Sequence, residues 1–303
     1  MNDILDSSVA SRGVRIVAKI HHSHGLKAVA AFTHLRNIFP NWSEDFWNLA
    51  LVNTGWFDEP IVDCPVQVPD IRLSERQAKS LLSHAVVPVA YQAIREWVRL
   101  AGVEAVVSHY LPQACEEPEY LGHRVSVLLS FLDVWPIYKG GPDSLLFLDR
   151  LTEFILACKF SISPVNVIAG QATFEEALAA AAQRPGFFAH HLIVLAWSLR
   201  FKDLLGQRLA ACVYAWVVQC SGAPYEDEED KVDISSAANR PVQDDSLQLA
   251  LESLLQYGKS NIHLLTLADA LALLWKVADE ELRRNLLATA AHYRFTPDYK
   301  TNL

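Results

Sequence analysis

Residues 19–34 read KIHHSHGLKAVAAFTH and carry four histidines within fourteen positions, His21, His22, His24 and His34. On a helix, His21 and His24 lie three apart and share a face, a spacing at which two neutral imidazoles can bind one divalent transition metal. A polar helix start produces the same spacing. Three further segments repeat the theme: YLGHRVSVLL with His123, PGFFAHHLIVLAW with His190 and His191, and SNIHLLTLADALALL with His263. Each histidine stands near the polar beginning of a long apolar face, so the four segments together can aim imidazoles at one point inside a helical bundle. Glu119 precedes His123 by four residues and would share its face on a continuing helix. His34, His84, His109 and His292 lack this placement and read as surface or capping residues. The chain contains no HExxH, no GxSxG, no glycine-rich phosphate loop and no His-Asp dipeptide, which sets aside the hydrolytic and nucleotide chemistries those motifs serve.

The elements that must position these residues are helices. Apolar residues recur at three and four in ten segments, among them GLKAVAAFTHLRNIF, DSLLFLDRLTEFILACKF and NIHLLTLADALALLWKVA, and almost nothing alternates as a strand would. Ser74 and Thr173, each followed by a polar first turn, are expected N-caps. The expected fold is all-α, a single helical domain over residues 1–303. Two stretches break the period. Residues 53–73 hold three prolines and form an ordered excursion or lid, and residues 221–245, with the acidic run EDEED, form a mobile loop.

Composition narrows the partners. With 35 acids against 26 bases the net charge is −9, and no basic cluster interrupts it, which argues against nucleic acid or an anionic membrane surface. Eight Trp, nine Tyr and thirteen Phe suit a neutral or aromatic ligand; Trp135, Phe187, Phe188 and Trp197 are candidate pocket walls, though any of them can equally fill the core. The five cysteines are odd in number and form no CxxC pair, as expected of reduced thiols. The first residues lack the apolar stretch of a signal peptide, and LAACVYAWVVQC is too short to span a bilayer, so a cytoplasmic protein is expected.

The helix starts resemble those of the questin oxidase-like family. HHSHGLKAVAAFTHL resembles the family segment in which Asn-His, two spacer residues and often a further His open a Leu- and Ala-rich helix. VAYQAIREWVRLAGVEAVVSHYLP, YLGHRVSVLLSFLD, FFAHHLIVLAWSLR and NIHLLTLADAL resemble later family segments in the same order, scattered over nearly the whole chain. The resemblance implies an all-helical oxygenase that acts on polycyclic aromatic polyketides such as anthraquinones, by Baeyer-Villiger-type insertion or oxidative ring cleavage. It implies either flavin-independent chemistry or a non-haem iron centre built from several histidines and a lysine. The matching positions are His21, His123, His191 and His263, with His24 at a second histidine that some members have. Two departures stand out: the family lysine falls at Thr266, and the family's His-Pro-Leu-Ile is here His-Arg-Val-Ser.

The expected activity is therefore an Fe(II)-dependent oxygenase with His21, His24, His123, His191 and His263 as metal ligands, O₂ and an aromatic small molecule as substrates, and no catalytic residue assigned beyond the ligands. Two alternatives stay open. One is a non-catalytic helical binding protein that has lost the metal, consistent with Thr266; the other is a cofactor-free oxygenase using a histidine as base.

Overall fold

The computed structural model describes residues 2–17, 24–119, 121–160, 172–225, 231–235, 241–243, 245–258 and 261–295. His21, one of the expected ligands, and the acidic run at 226–230 lie outside the described residues. In chain order the helices are α1 (Asn2–Arg15), α2 (His24–Ile38), α3 (Glu44–Asn53), α4 (Glu75–Ser83), α5 (Val89–Glu116), α6 (His123–Tyr138), α7 (Ser144–Cys158), α8 (Phe174–Gln183), α9 (His190–Arg200), α10 (Lys202–Gly222), α11 (Ser246–Tyr257), α12 (His263–Leu274) and α13 (Glu280–Phe295). The fold is all-α, as the periodicity requires; among the described residues the sole β pairing is an isolated bridge between Ile16 and Ile61. Both expected caps are in place. The Ser74 and Thr173 hydroxyls accept from the N3 amides, and Gln77 and Glu176 reach back to complete capping boxes. The periodic stretch from Ser74 to Gly102 is not one helix, because residues 84–88 turn and α5 starts only after Pro88, which has no N–H to give.

Backbone contacts group the chain into two compact units, the first comprising Met1–Ala30, Pro60–Glu119 and His123–Ile168, the second Ala31–Glu59, Tyr120–Gly122 and Ala169–Leu303. In the first, α5, α6 and α7 pack on one another around Trp97, Phe131, Phe147 and Phe154, all fully buried. Burying each such side chain contributes about 1.5–3 kcal/mol. Helix α1 is tied to this core by a bidentate pair from Arg15 to Asp143 (2.7 and 3.1 Å) and by the Tyr138 hydroxyl donating to the Ala10 carbonyl (2.7 Å). The start of α2 approaches α1 so closely that a Cβ on Gly25 would stand 2.3 Å from the Gly13 carbonyl oxygen, so only glycine fits there.

The excursion is ordered by its own backbone bonds. The Val17 amide donates to Pro60 and the Val62 amide to Arg15, while the Val66 amide donates to the buried Asp149 carboxylate (2.7 Å), which also pairs with Arg95 (2.8 Å). Residues 60–73 are therefore a strap fastened to α1, α5 and α7.

In the second unit α8 packs on α10, α9 on α12, and α11 on α13. Its most polar buried feature joins three helices. Asp269 of α12, 3% exposed, accepts a bidentate pair from Arg200 of α9 (2.9 and 2.8 Å) and faces the His34 Nδ1 of α2 at 3.2 Å. Removing one partner of such a buried pair strands the other charge in low dielectric. Asp269→Ala is expected to cost about 3–5 kcal/mol in urea unfolding, far more than a surface acid such as Asp203.

Candidate metal centre

The first unit brings two of the expected ligands together. Helix α2 opens at His24 and α6 opens at His123, so both imidazoles come from first turns, where the side chains point back beyond the helix ends. Their Nε2 atoms stand 3.3 Å apart, with the rings nearly perpendicular (84°) and their centroids at 4.9 Å. That separation is long for a nitrogen hydrogen bond. Two nitrogens bound to one ion at ~2.1 Å are about 3.0 Å apart when octahedral neighbours and about 3.4 Å apart when tetrahedral, so 3.3 Å fits a shared cation. His123 is 3% exposed, which shelters the site from water. The neighbouring Arg124 is committed elsewhere, to the Glu117 carboxylate (3.1 Å) and the Cys158 carbonyl (2.8 Å). Glu119 does not share a helical face with His123: it precedes α6, is exposed, and has a φ of 70° that no helix allows.

The second unit holds another imidazole pair. His263 opens α12 and donates from Nδ1 to the Asn261 side-chain oxygen (2.8 Å), whose other contact is the His263 amide. His190 opens α9 and its Nδ1 donates to the Phe187 carbonyl. Each Nδ1–H is thus fixed on an oxygen, which leaves the lone pair on Nε2, the tautomer that metal-ligating histidines take when an outer carbonyl orients them. The two ring centroids are 5.0 Å apart. The turn that aims His190 is a strained one, with Phe188 at φ 44° and Ala189 at φ 55°. Left-handed residues other than glycine cost about 1–3 kcal/mol each and persist only when the surroundings hold them. Here Tyr293 does so, accepting from the Ala189 amide (3.0 Å) and donating to the Gly186 carbonyl (2.9 Å).

His191, the ligand expected from register, has a structural role. Its Nδ1 meets the Arg184 carbonyl (2.8 Å) and the Ser221 hydroxyl (3.1 Å), its ring lies against Gly186 and edge-on to Trp216, and burial holds its pKa below the usual histidine value. The structure places His190, rather than His191, beside His263. His191→Ala should therefore lower stability by about 1–3 kcal/mol, through the lost imidazole hydrogen bonds and the space left against Trp216, and leave metal content unchanged, a pair of outcomes that calorimetry and elemental analysis read separately.

The remaining positions sort as follows. Thr266 is buried and its hydroxyl donates to the His263 carbonyl (2.9 Å), so it braces the first turn of α12. Phe188 stacks on His263 and on Tyr293 (5.6 Å each), and Phe187 on His190 (6.0 Å), so these two candidate walls flank the second imidazole pair. Trp197 is core, between Phe201 and the Arg200 guanidinium, and Trp135 packs on Phe147 within the first unit. A cleft of about 610 Å³ in the second unit, walled by Phe174, Leu178, Leu199 and Tyr214 with Lys202 and Glu281 at its polar edge, involves none of the four. His84 caps α4 through the Ser80 carbonyl and His109 packs edge-on to Trp97, as capping and surface roles predict; His34, bound to Asp269, does not follow that expectation. Among the described residues no helix is long and apolar enough to cross a membrane. Comparison with models of protein families, with curated proteins and with solved structures found no match to this chain.

Proposed function

We propose that the protein is an oxygenase that uses a non-haem Fe(II) ion, or a related redox metal, to insert oxygen into or cleave an aromatic or polyketide-like small molecule, as the resemblance to questin oxidase-like proteins implies. The observation that supports this reading is the 3.3 Å approach of the His24 and His123 Nε2 atoms at two helix starts. Neutral imidazoles suit a divalent iron and leave coordination positions for substrate. His24 and His123 are the proposed ligands within the first unit; within the second, His263, with its proton fixed on Nδ1 by Asn261, and His190, rather than His191, present their Nε2 lone pairs as a separate imidazole pair. A bound iron supplies the one-electron chemistry that ground-state O₂ needs before it attacks a closed-shell ring. Within the second unit, Asn261 and the Phe187 carbonyl fix the imidazole tautomers, and Phe187 and Phe188 pack their rings against that imidazole pair.

A second reading, a helical protein that binds an aromatic molecule without catalysis, is favoured by one observation. Thr266, at the family lysine position, spends its hydroxyl on the His263 backbone and cannot supply an anionic ligand. Oxygen uptake with a polycyclic phenol after anaerobic loading with Fe(II) separates the readings. The oxygenase consumes O₂ only when loaded and stops with chelator; uptake that ignores chelator points to a histidine base without metal, and binding with no uptake points to the non-catalytic protein.

A further inference from the structure

Lys27 lies one turn beyond His24 on α2, and the oxygenase reading gives it no task. Its side chain is fully buried, and its Nζ has no hydrogen-bond partner among the described residues. Around it on the same helix, Leu26, Ala28, Val29 and Ala30 are all buried as well, so the helix offers the amine no polar relief. An ammonium in such a place costs several kcal/mol, and a chain with no use for the group would place methionine or leucine there at lower free energy. Among the described residues no carboxylate pairs with it, which separates Lys27 from buried lysines held in ion pairs. Burial therefore favours the neutral, nucleophilic form of the amine over the charged one.

We propose that Lys27 is a nucleophilic lysine that captures an aldehyde or ketone, of aromatic or otherwise apolar body, as an imine. The nitrogen lone pair attacks the carbonyl carbon and forms the C–N bond while the C=O π pair moves to oxygen. The nitrogen gives up a proton and the oxygen gains one, giving the carbinolamine. Loss of that oxygen as water, with the second amine hydrogen, yields the C=N bond. No oxidant, reductant or metal enters the balance, so the proposal stands apart from the iron reading and can fail or succeed without it. Burial supports the assignment, since it lowers the Lys27 pKa from 10.5 to about 7. Desolvation of this kind is how Schiff-base lysines are activated.

The test is reductive trapping. The full chain, in chelator to exclude any metal, is treated at neutral pH with benzaldehyde and sodium cyanoborohydride, and the benzyl adduct is mapped by peptide mass spectrometry. Lys139 and Lys159, both exposed, serve as the reference amines. The expected result is an adduct at Lys27 formed at least about tenfold faster than at either of them, and absent at that site in a Lys27→Met variant whose circular dichroism matches the parent. Labelling confined to exposed lysines and the amino terminus, or Lys27 reacting no faster than Lys139, would overturn the proposal. Should Lys27→Met fail to fold, mapping on the unaltered chain decides the question alone.

Discussion

His123→Ala is expected to weaken metal binding by more than about 100-fold, beyond the 10–100-fold that loss of an outer-sphere partner costs. The reasoning is geometric. On the proposed reading an ion would take the His24 and His123 lone pairs together, 3.3 Å apart, and one imidazole alone would be an ordinary weak ligand. His24→Ala should match it, since the two nitrogens act as a unit. Asn261→Ala, in the second unit, is the control: it removes the acceptor that fixes the His263 tautomer and leaves both nitrogens of the first-unit pair in place, so its effect should be the smaller. Anaerobic Fe(II) titration of the three variants gives the order directly. If Asn261→Ala weakened binding more than His123→Ala, the pair in the first unit would not be the core of the site.

Lys27→Met is expected to make the protein more stable at neutral pH, an unusual direction for a core substitution. Burial lowers the folded-state pKa of Lys27 to about 7, against 10.5 for the open chain. Between those values the unfolded chain binds a proton that the folded chain does not, so stability rises with pH from about 7 to about 10.5, and below 7 both states are protonated and the cost is constant. The drop from 10.5 to about 7 corresponds to roughly 4–5 kcal/mol at its largest. Methionine fills similar space with no charge to desolvate. Urea unfolding at pH 7, 8.5 and 10 should show the variant ahead by several kcal/mol at pH 7 and the gap nearly closed at pH 10. Parallel curves for the two proteins would show that the amine is not desolvated.

The helices were legible because burial writes itself into spacing: Ser74, Thr173 and the apolar repeats marked starts and faces that the structure reproduces. The His24 and His123 pairing was legible in part, since both stand at the head of an apolar run. The choice between His190 and His191 was not. Adjacent helical residues point about 100° apart, and which one faces His263 is decided by the left-handed turn at Phe188 and Ala189, a conformation that residues of those types do not advertise. Glu119 misled for a related reason, because its spacing to His123 has meaning only if the helix extends that far, and α6 begins at His123 itself. Lys27 was invisible because it sits in a stripe that looks like any amphipathic helix, and only packing on every side of α2 at that level buries it. The cluster of His34, Arg200 and Asp269 joins residues 69 and 235 positions apart, a distance over which one sequence carries no pairing signal.

The central claim is that imidazoles at the starts of α2 and α6 hold a redox metal. Elemental analysis tests it most directly, on untagged protein purified without chelator, beside the double variant His24→Ala/His123→Ala prepared identically. The account predicts about one iron or manganese per chain in the parent and less than about a tenth of that in the variant. A parent that is metal-free and refuses Fe(II) under anaerobic conditions, or a variant that retains the parent's metal, would contradict it.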